Sequence, residues 1–185
     1  MTDPATAPTT GLADIQARIA RTAQIAGRKA EDVTLVAVSK THPAERIAPL
    51  ILAGQRVFGE NRVQEAAEKW PALRDAHGPV ELHLVGQLQS NKAEDAVRLF
   101  DCIHSVDRTS LVGALAKAMD KAARQVPCFV QVNIGAEEQK GGCAIADLPA
   151  LLTEARAAEL PLAGLMCVPP LGIEPAPFFA LLDKL

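Results

Sequence analysis

The chain contains no tyrosine, one tryptophan and five phenylalanines, so aromatic residues make up only 3% of its 185 positions. Since 49% of the residues are still apolar, a core must be packed mainly by Ala, Leu and Val, and the length suits one domain. There is no basic excess either. Nineteen Lys+Arg stand against 22 Asp+Glu, a formal net charge of -3. That balance offers no electrostatic face to a polyanion and argues against nucleic acid as a partner. No apolar run is long enough to cross a bilayer, and Met1–Gly11 has neither the cationic start nor the apolar stretch of a signal peptide. A cytoplasmic protein without a membrane partner is expected, with residues 1–10 as a disordered tail. Cys102, Cys128, Cys143 and Cys167 are widely spaced and form no C-x-x-C pair or Cys/His ligand cluster in the sequence. Three lie in apolar runs, where they read as small buried hydrophobes in a reducing compartment.

What is present is a repeat of element types. An amphipathic helix is expected from about Leu12 to Ala26, with Leu12, Ile15, Ile19 and Ala23 on one stripe and Gly27 as its stop. Apolar, strand-like runs then follow at Val33–Val38, Arg56–Phe58, Glu81–Val85, Cys102–Val106, Pro127–Ile134 and Leu162–Val168. Helix-period segments separate them. Pro43 fits a first helical turn, Gly54 a helix end, and Asp107 a cap ahead of Leu111, Leu115 and Met119. Alternating β and α elements imply a parallel sheet covered by helices, and the continuous apolar run Thr34–Val38 implies a strand buried on both faces. A closed TIM-type (β/α) barrel and an open doubly wound sheet both fit. The absence of G-x-G-x-x-G and Walker A segments removes the usual nucleotide signatures of the open form. Six strands are nevertheless two short of a full barrel.

In parallel α/β folds, functional groups collect at the C-terminal ends of strands. Those ends carry Ser39-Lys40, Gly59-Glu60-Asn61, His83 with Gln87, His104-Ser105, Asn133 and Met166. Lys40 directly follows an apolar run. If water is scarce there, desolvation favours its neutral amine, which can attack a carbonyl; otherwise it is a rim lysine reaching into solvent. Asn61 can both donate to and accept from a ligand, or cap the next helix. His83 faces opposite to Leu82 and Leu84, as a site residue or a satisfied core histidine. Lys140-Gly141-Gly142 forms a candidate anion nest, although turn glycines explain it as well.

Together these residues resemble the pyridoxal phosphate homeostasis proteins, the YggS/PROSC group. The resemblance rests on Leu35-Val36-Ala37-Val38-Ser39-Lys40-Thr41 and on Phe58-Gly59-Glu60-Asn61-Arg62-Val63-Gln64-Glu65. It continues through His83-Leu84-Val85-Gly86, Leu88-Gln89-Ser90-Asn91-Lys92, Val130-Gln131-Val132-Asn133-Ile134 and Leu162-Ala163-Gly164-Leu165-Met166. The resemblance implies a fold like the N-terminal barrel of alanine racemase, with about six of eight strands in residues 11–185. It implies that Lys40 holds pyridoxal 5′-phosphate as a Schiff base, with Asn61, His83, Asn133, Met166 and Lys140 as further cofactor contacts. It also implies a part in cellular vitamin B6 balance without an established turnover, and apo-enzymes as recipients. Two departures bear on this. Gln87 stands where the family usually has Pro or His. The sequence also ends at Leu185, before the Ser-Met-Gly-Met-Ser and Arg-x-Gly-Thr segments that supply the family's phosphate cradle. From that ending, weak discrimination between pyridoxal phosphate and pyridoxal is expected, with unpaired edges beside the first and sixth strands.

The alternative is a pyridoxal phosphate-dependent amino-acid racemase-like enzyme. A racemase must move a proton on both faces of the α-carbon and needs a second acid/base opposite the lysine. Related racemases place a tyrosine there, and this chain has none. A binding protein is therefore the expected function.

Overall fold

The computed structural model describes residues 7–185, with side chains from residue 11 onward. The first helix, α1, runs Ala7–Ile25, so Ala7–Thr10 of the expected tail are helical, while residues 1–6 lie outside the described residues. Pro8 does not prevent the earlier start, because a first-turn N–H has no helical partner to lose. Gly27, at φ 66°, ends the segment as expected.

Strands and helices then alternate. The strands are β1 (Ala37–Val38), β2 (Val57–Glu60), β3 (Glu81–Leu84), β4 (Cys102–Val106), β5 (Cys128–Gln131) and β6 (Leu162–Met166). The helices after α1 are α2 (Ala44–Leu52), α3 (Val63–His77), α4 (Ala93–Leu99), α5 (Thr109–Ala122), α6 (Leu148–Ala157) and α7 (Ala176–Lys184). The strands follow one another in chain order and each described pairing is parallel, which is the repeating unit of a TIM-type barrel. Among the described residues no helix is long and apolar enough to cross a membrane.

Packing divides the described residues into two compact units, residues 7–60 with 64–82, and residues 61–63 with 83–185. In the first, Phe58 and Trp70 meet with ring centroids 5.0 Å apart. Both are fully buried, with Ile47 and Ile51 of α2 also in the core. Burying each of these side chains stabilises the unit by on the order of 1.5–3 kcal/mol relative to exposure. The first strand differs from its expectation. Only Ala37 and Val38 pair, with Phe58 and Gly59, and Val38 is 49% exposed rather than buried on both sides. Residues 33–36 stay outside the ladder. Gln55 holds part of that run by donating from Nε2 to the carbonyls of Leu35 (2.8 Å) and Val57 (2.6 Å).

In the second unit, Leu84, Ile103, Val106 and Val130 line the strands, while Leu111, Leu115 and Met119 present one buried face of α5. Asp107 does not cap α5. Arg108 occupies the cap position without a side-chain bond, and the Asp107 carboxylate instead accepts from Arg108 (2.6 Å). Ala123, at φ 47°, closes α5. Next to it, the Arg124 guanidinium donates to the Val97 and Phe100 carbonyls at the end of α4 and to Asp101 (2.8 Å), satisfying acceptors that the helix leaves open.

Candidate functional site

Lys40 lies just beyond the C-terminal end of β1 and is exposed. Of the two settings open to this amine, the structure shows the exposed one: Lys40 follows buried Ser39 beyond a two-residue strand whose last residue, Val38, is itself half-exposed. The structure also supplies a firmly held backbone around it. Ser39 is buried, and its N–H donates to the Gly59 carbonyl at 2.8 Å. Its Oγ donates to Glu60 Oε1 at 2.7 Å. Thr41, at φ 63°, sits in the left-handed region, an unfavourable place for a β-branched residue. Its N–H is taken by Glu65 at 2.6 Å.

The partners of this bend converge on a buried ion pair that the sequence reading missed. Glu60 is fully buried, and its Oε1 receives Ser39 Oγ, Trp70 Nε1 (3.0 Å) and the Lys69 ammonium (2.8 Å). Its Oε2 has no hydrogen-bond partner among the described residues. Lys69, whose side chain is 10% exposed, also donates to the carbonyls of Ser39 (3.0 Å) and His42 (3.1 Å) and pairs with Glu65 (3.2 Å). A single ammonium thus ties both ends of the Lys40 bend to α3. Lys69 follows Glu65 by four residues, so the two share a helix face. That spacing was the available signal, but i,i+4 pairs are so common on exposed faces that it could not reveal burial.

In the second unit, Asn61 is half-buried, and its backbone crowds Gly86, where a Cβ would fall 2.6 Å from the Asn61 Cα. A side chain at position 86 would displace Asn61, which explains a glycine there. Asn133 closes its own loop, donating to the Glu137 carbonyl (2.9 Å) and accepting from the Glu137 N–H (3.1 Å). Lys140 pairs with Glu137 at 2.6 Å and donates to the Pro169 carbonyl at 3.0 Å, so an anion there would compete with a carboxylate already in place. Gly142 has φ 114° and lies against the Val132–Asn133 backbone, a conformation and an approach that both require glycine. Met166 ends β6 half-buried, and its carbonyl accepts from the Val132 N–H at 2.8 Å. Gln87 is exposed, 3.4 Å from Asp107.

His83 is buried on β3, and its Nδ1 lies 2.9 Å from His104 Nε2 on β4. His104 also stacks on Phe129, centroids 4.6 Å apart and 18° between planes. Burial, with His83 adding to it, pushes the His104 pKa down to about 4, so that ring is neutral at neutral pH. Cys102 completes a group in which one ligand atom from each of the three residues lies within 4.8 Å of the others. This corrects the expectation of no Cys/His cluster: the register places His83 beside Cys102, across a gap in sequence that no spacing motif covers. None of the four cysteines is in a disulfide. Burial pushes Cys128 up to about 12 and raises Cys143 and Cys167 as well, in keeping with inert core thiols.

Comparison with known proteins agrees with this architecture. Residues 11–180 match the family described as alanine racemase, N-terminal domain. A pyridoxal phosphate homeostasis protein of Pseudomonas aeruginosa is 40% identical over 161 residues, covering 85% of this chain and 68% of its own length. The structure of PipY from Synechococcus elongatus PCC7942 with pyridoxal phosphate bound is 40% identical, with a TM-score of 0.72 over 88% of this chain and 76% of that one. An unknown protein from Bifidobacterium adolescentis superimposes with a TM-score of 0.89 at 30% identity, covering all of this chain and 80% of that one. The parallel βα repeat, the family match along nearly the whole chain and the identity shared with relatives of one name lead to one conclusion: the chain belongs to the pyridoxal phosphate homeostasis proteins, within the alanine racemase N-terminal domain fold.

Proposed function

We propose that this chain binds pyridoxal 5′-phosphate and serves intracellular vitamin B6 homeostasis, with Lys40 as the residue that takes the cofactor's aldehyde as a Schiff base. The observation that carries this reading is a primary amine at the end of β1, on a bend held by Glu60, Glu65 and Lys69, in a chain whose relatives bear that name. The cofactor supplies an aldehyde that a primary amine captures. The protein's part is to present that amine. Exposure leaves Lys40 accessible, and the anchored bend limits where its side chain begins, which lowers the entropy lost on capture. Asn61, His83, Asn133 and Met166 belong to the same proposal as further contacts. Lys140 would join them only by leaving Glu137.

The role proposed is to hold and hand on the cofactor, with apo-enzymes as recipients and the cytoplasm as the setting. Four cysteines outside any disulfide suit that compartment. No turnover is part of the reading, since the chain has no tyrosine to act as a second acid/base. Borohydride reduction after incubation with pyridoxal phosphate, followed by peptide mass spectrometry, tests the assignment. The pyridoxyl label is expected on the peptide containing Lys40 and absent from it in Lys40→Arg. Label confined to Lys92 or Lys140 would overturn the reading. Optical rotation of L-alanine should stay constant over hours with the cofactor-loaded protein.

A further inference from the structure

We propose that His83, Cys102 and His104 form a binding site for a borderline-soft transition-metal ion of the zinc class. Three features of the strands support it. His83 on β3 is the register partner of Cys102 on β4. Cys102 and His104 are two residues apart on one strand and so point to the same face. One ligand atom from each residue lies within 4.8 Å of the other two. Two imidazoles and a thiol are a donor set that zinc accepts, with a fourth position left for water.

The geometry is close to what such an ion requires. With bonds of roughly 2.0–2.3 Å and tetrahedral angles, neighbouring donor atoms stand about 3.3–3.6 Å apart. The two ring nitrogens are 2.9 Å apart, so they must open by a few tenths of an ångström, and the thiol, within 4.8 Å of its partners, must close by up to about 1.2–1.5 Å. Small side-chain rotations cover both. The ring-to-ring hydrogen bond needs one of the facing nitrogens to carry a proton. An ion needs both bare, so one ring changes tautomer, and Cys102 gives up its thiol proton. Binding therefore releases one proton overall and leaves both imidazoles neutral. Phe129, stacked on His104, holds that ring's plane and gives the ion an apolar wall.

The site shares His83 with the contacts proposed for the cofactor, so it is tested on the full chain without pyridoxal phosphate, and its failure would leave the labelling of Lys40 untouched. Co²⁺ is the probe. One equivalent should produce tetrahedral visible bands and a thiolate charge-transfer band in the near ultraviolet, both bleached by Zn²⁺. Losing a residue that only hydrogen-bonds to a ligand weakens metal sites by about 10–100-fold, so His83→Gln and His104→Gln should each weaken binding at least that much. Cys102→Ser, or Cys102→Ala if the serine variant does not fold, should abolish the charge-transfer band, while Cys128→Ala and Cys143→Ala keep it. A band that survives Cys102 replacement, that follows Cys143 or Cys167, or that never appears in the wild-type chain would overturn the site.

Discussion

The network under Lys40 in the first unit is ionic, whereas the cluster on β3 and β4 in the second is built around a neutral imidazole, that of His104. Glu60 keeps its charge out of water because three donors, one a full cation, meet a single carboxylate oxygen. His104 faces the His83 imidazole, and it responds to burial by losing its charge. The difference shows two ways a parallel α/β chain can bury polar groups. It can pair a charge completely, or arrange that no charge forms. The first makes the fold sensitive to losing a partner, and the second makes it sensitive to pH.

The sharpest way to break the comparison is Lys69→Met. Methionine fills similar space but leaves the buried Glu60 carboxylate without its cation, a change expected to cost about 3–5 kcal/mol. Urea unfolding followed by the fluorescence of Trp70, the single tryptophan, measures it. A loss below about 1 kcal/mol would mean that the ion pair is not held as described. Trp70→Phe removes one donor to Glu60 and some core volume, and should cost roughly 1–3 kcal/mol in urea unfolding monitored by circular dichroism.

The neutral imidazole should show itself through acid. An unfolded histidine titrates near 6.5, whereas folded His104 does so at about 4. Between those values the unfolded chain binds more protons. The contribution is thus fully present above pH 6.5 and is lost as pH falls towards 4. After discounting for partial exposure it amounts to roughly 1–2 kcal/mol. Comparing urea midpoints at pH 7 and pH 4.5, His104→Gln should fall less than the wild type by that amount. The smallest effect serves as the control. Lys121 and Glu94 pair at 2.7 Å with side chains 60% and 46% exposed, and Lys121 holds the Glu94 carboxyl below its usual value. Lys121→Ala should leave the urea midpoint unchanged, and added salt should make no difference to that result.

Much of this molecule was legible in its sequence, because apolar periodicity and turn residues act locally. All six expected strands form; β4 keeps its expected bounds and β3 is one residue shorter, and Pro43 and Gly54 bracket α2 as expected. The family segments placed Lys40 at a strand end, where it stands. Its exposure and the shortness of β1 were decided by the tertiary structure, since a run of apolar residues becomes a strand only where a neighbour supplies hydrogen bonds. The same holds for both polar clusters. Glu60 and Lys69 look like ordinary rim and helix charges until α3 packs against β2, and His83 is 19 positions from Cys102 until β3 and β4 align in register. Residue chemistry and local period are properties of the chain, but which distant side chains share one buried volume is set by the packing of elements, and there the chemistry of this protein was decided.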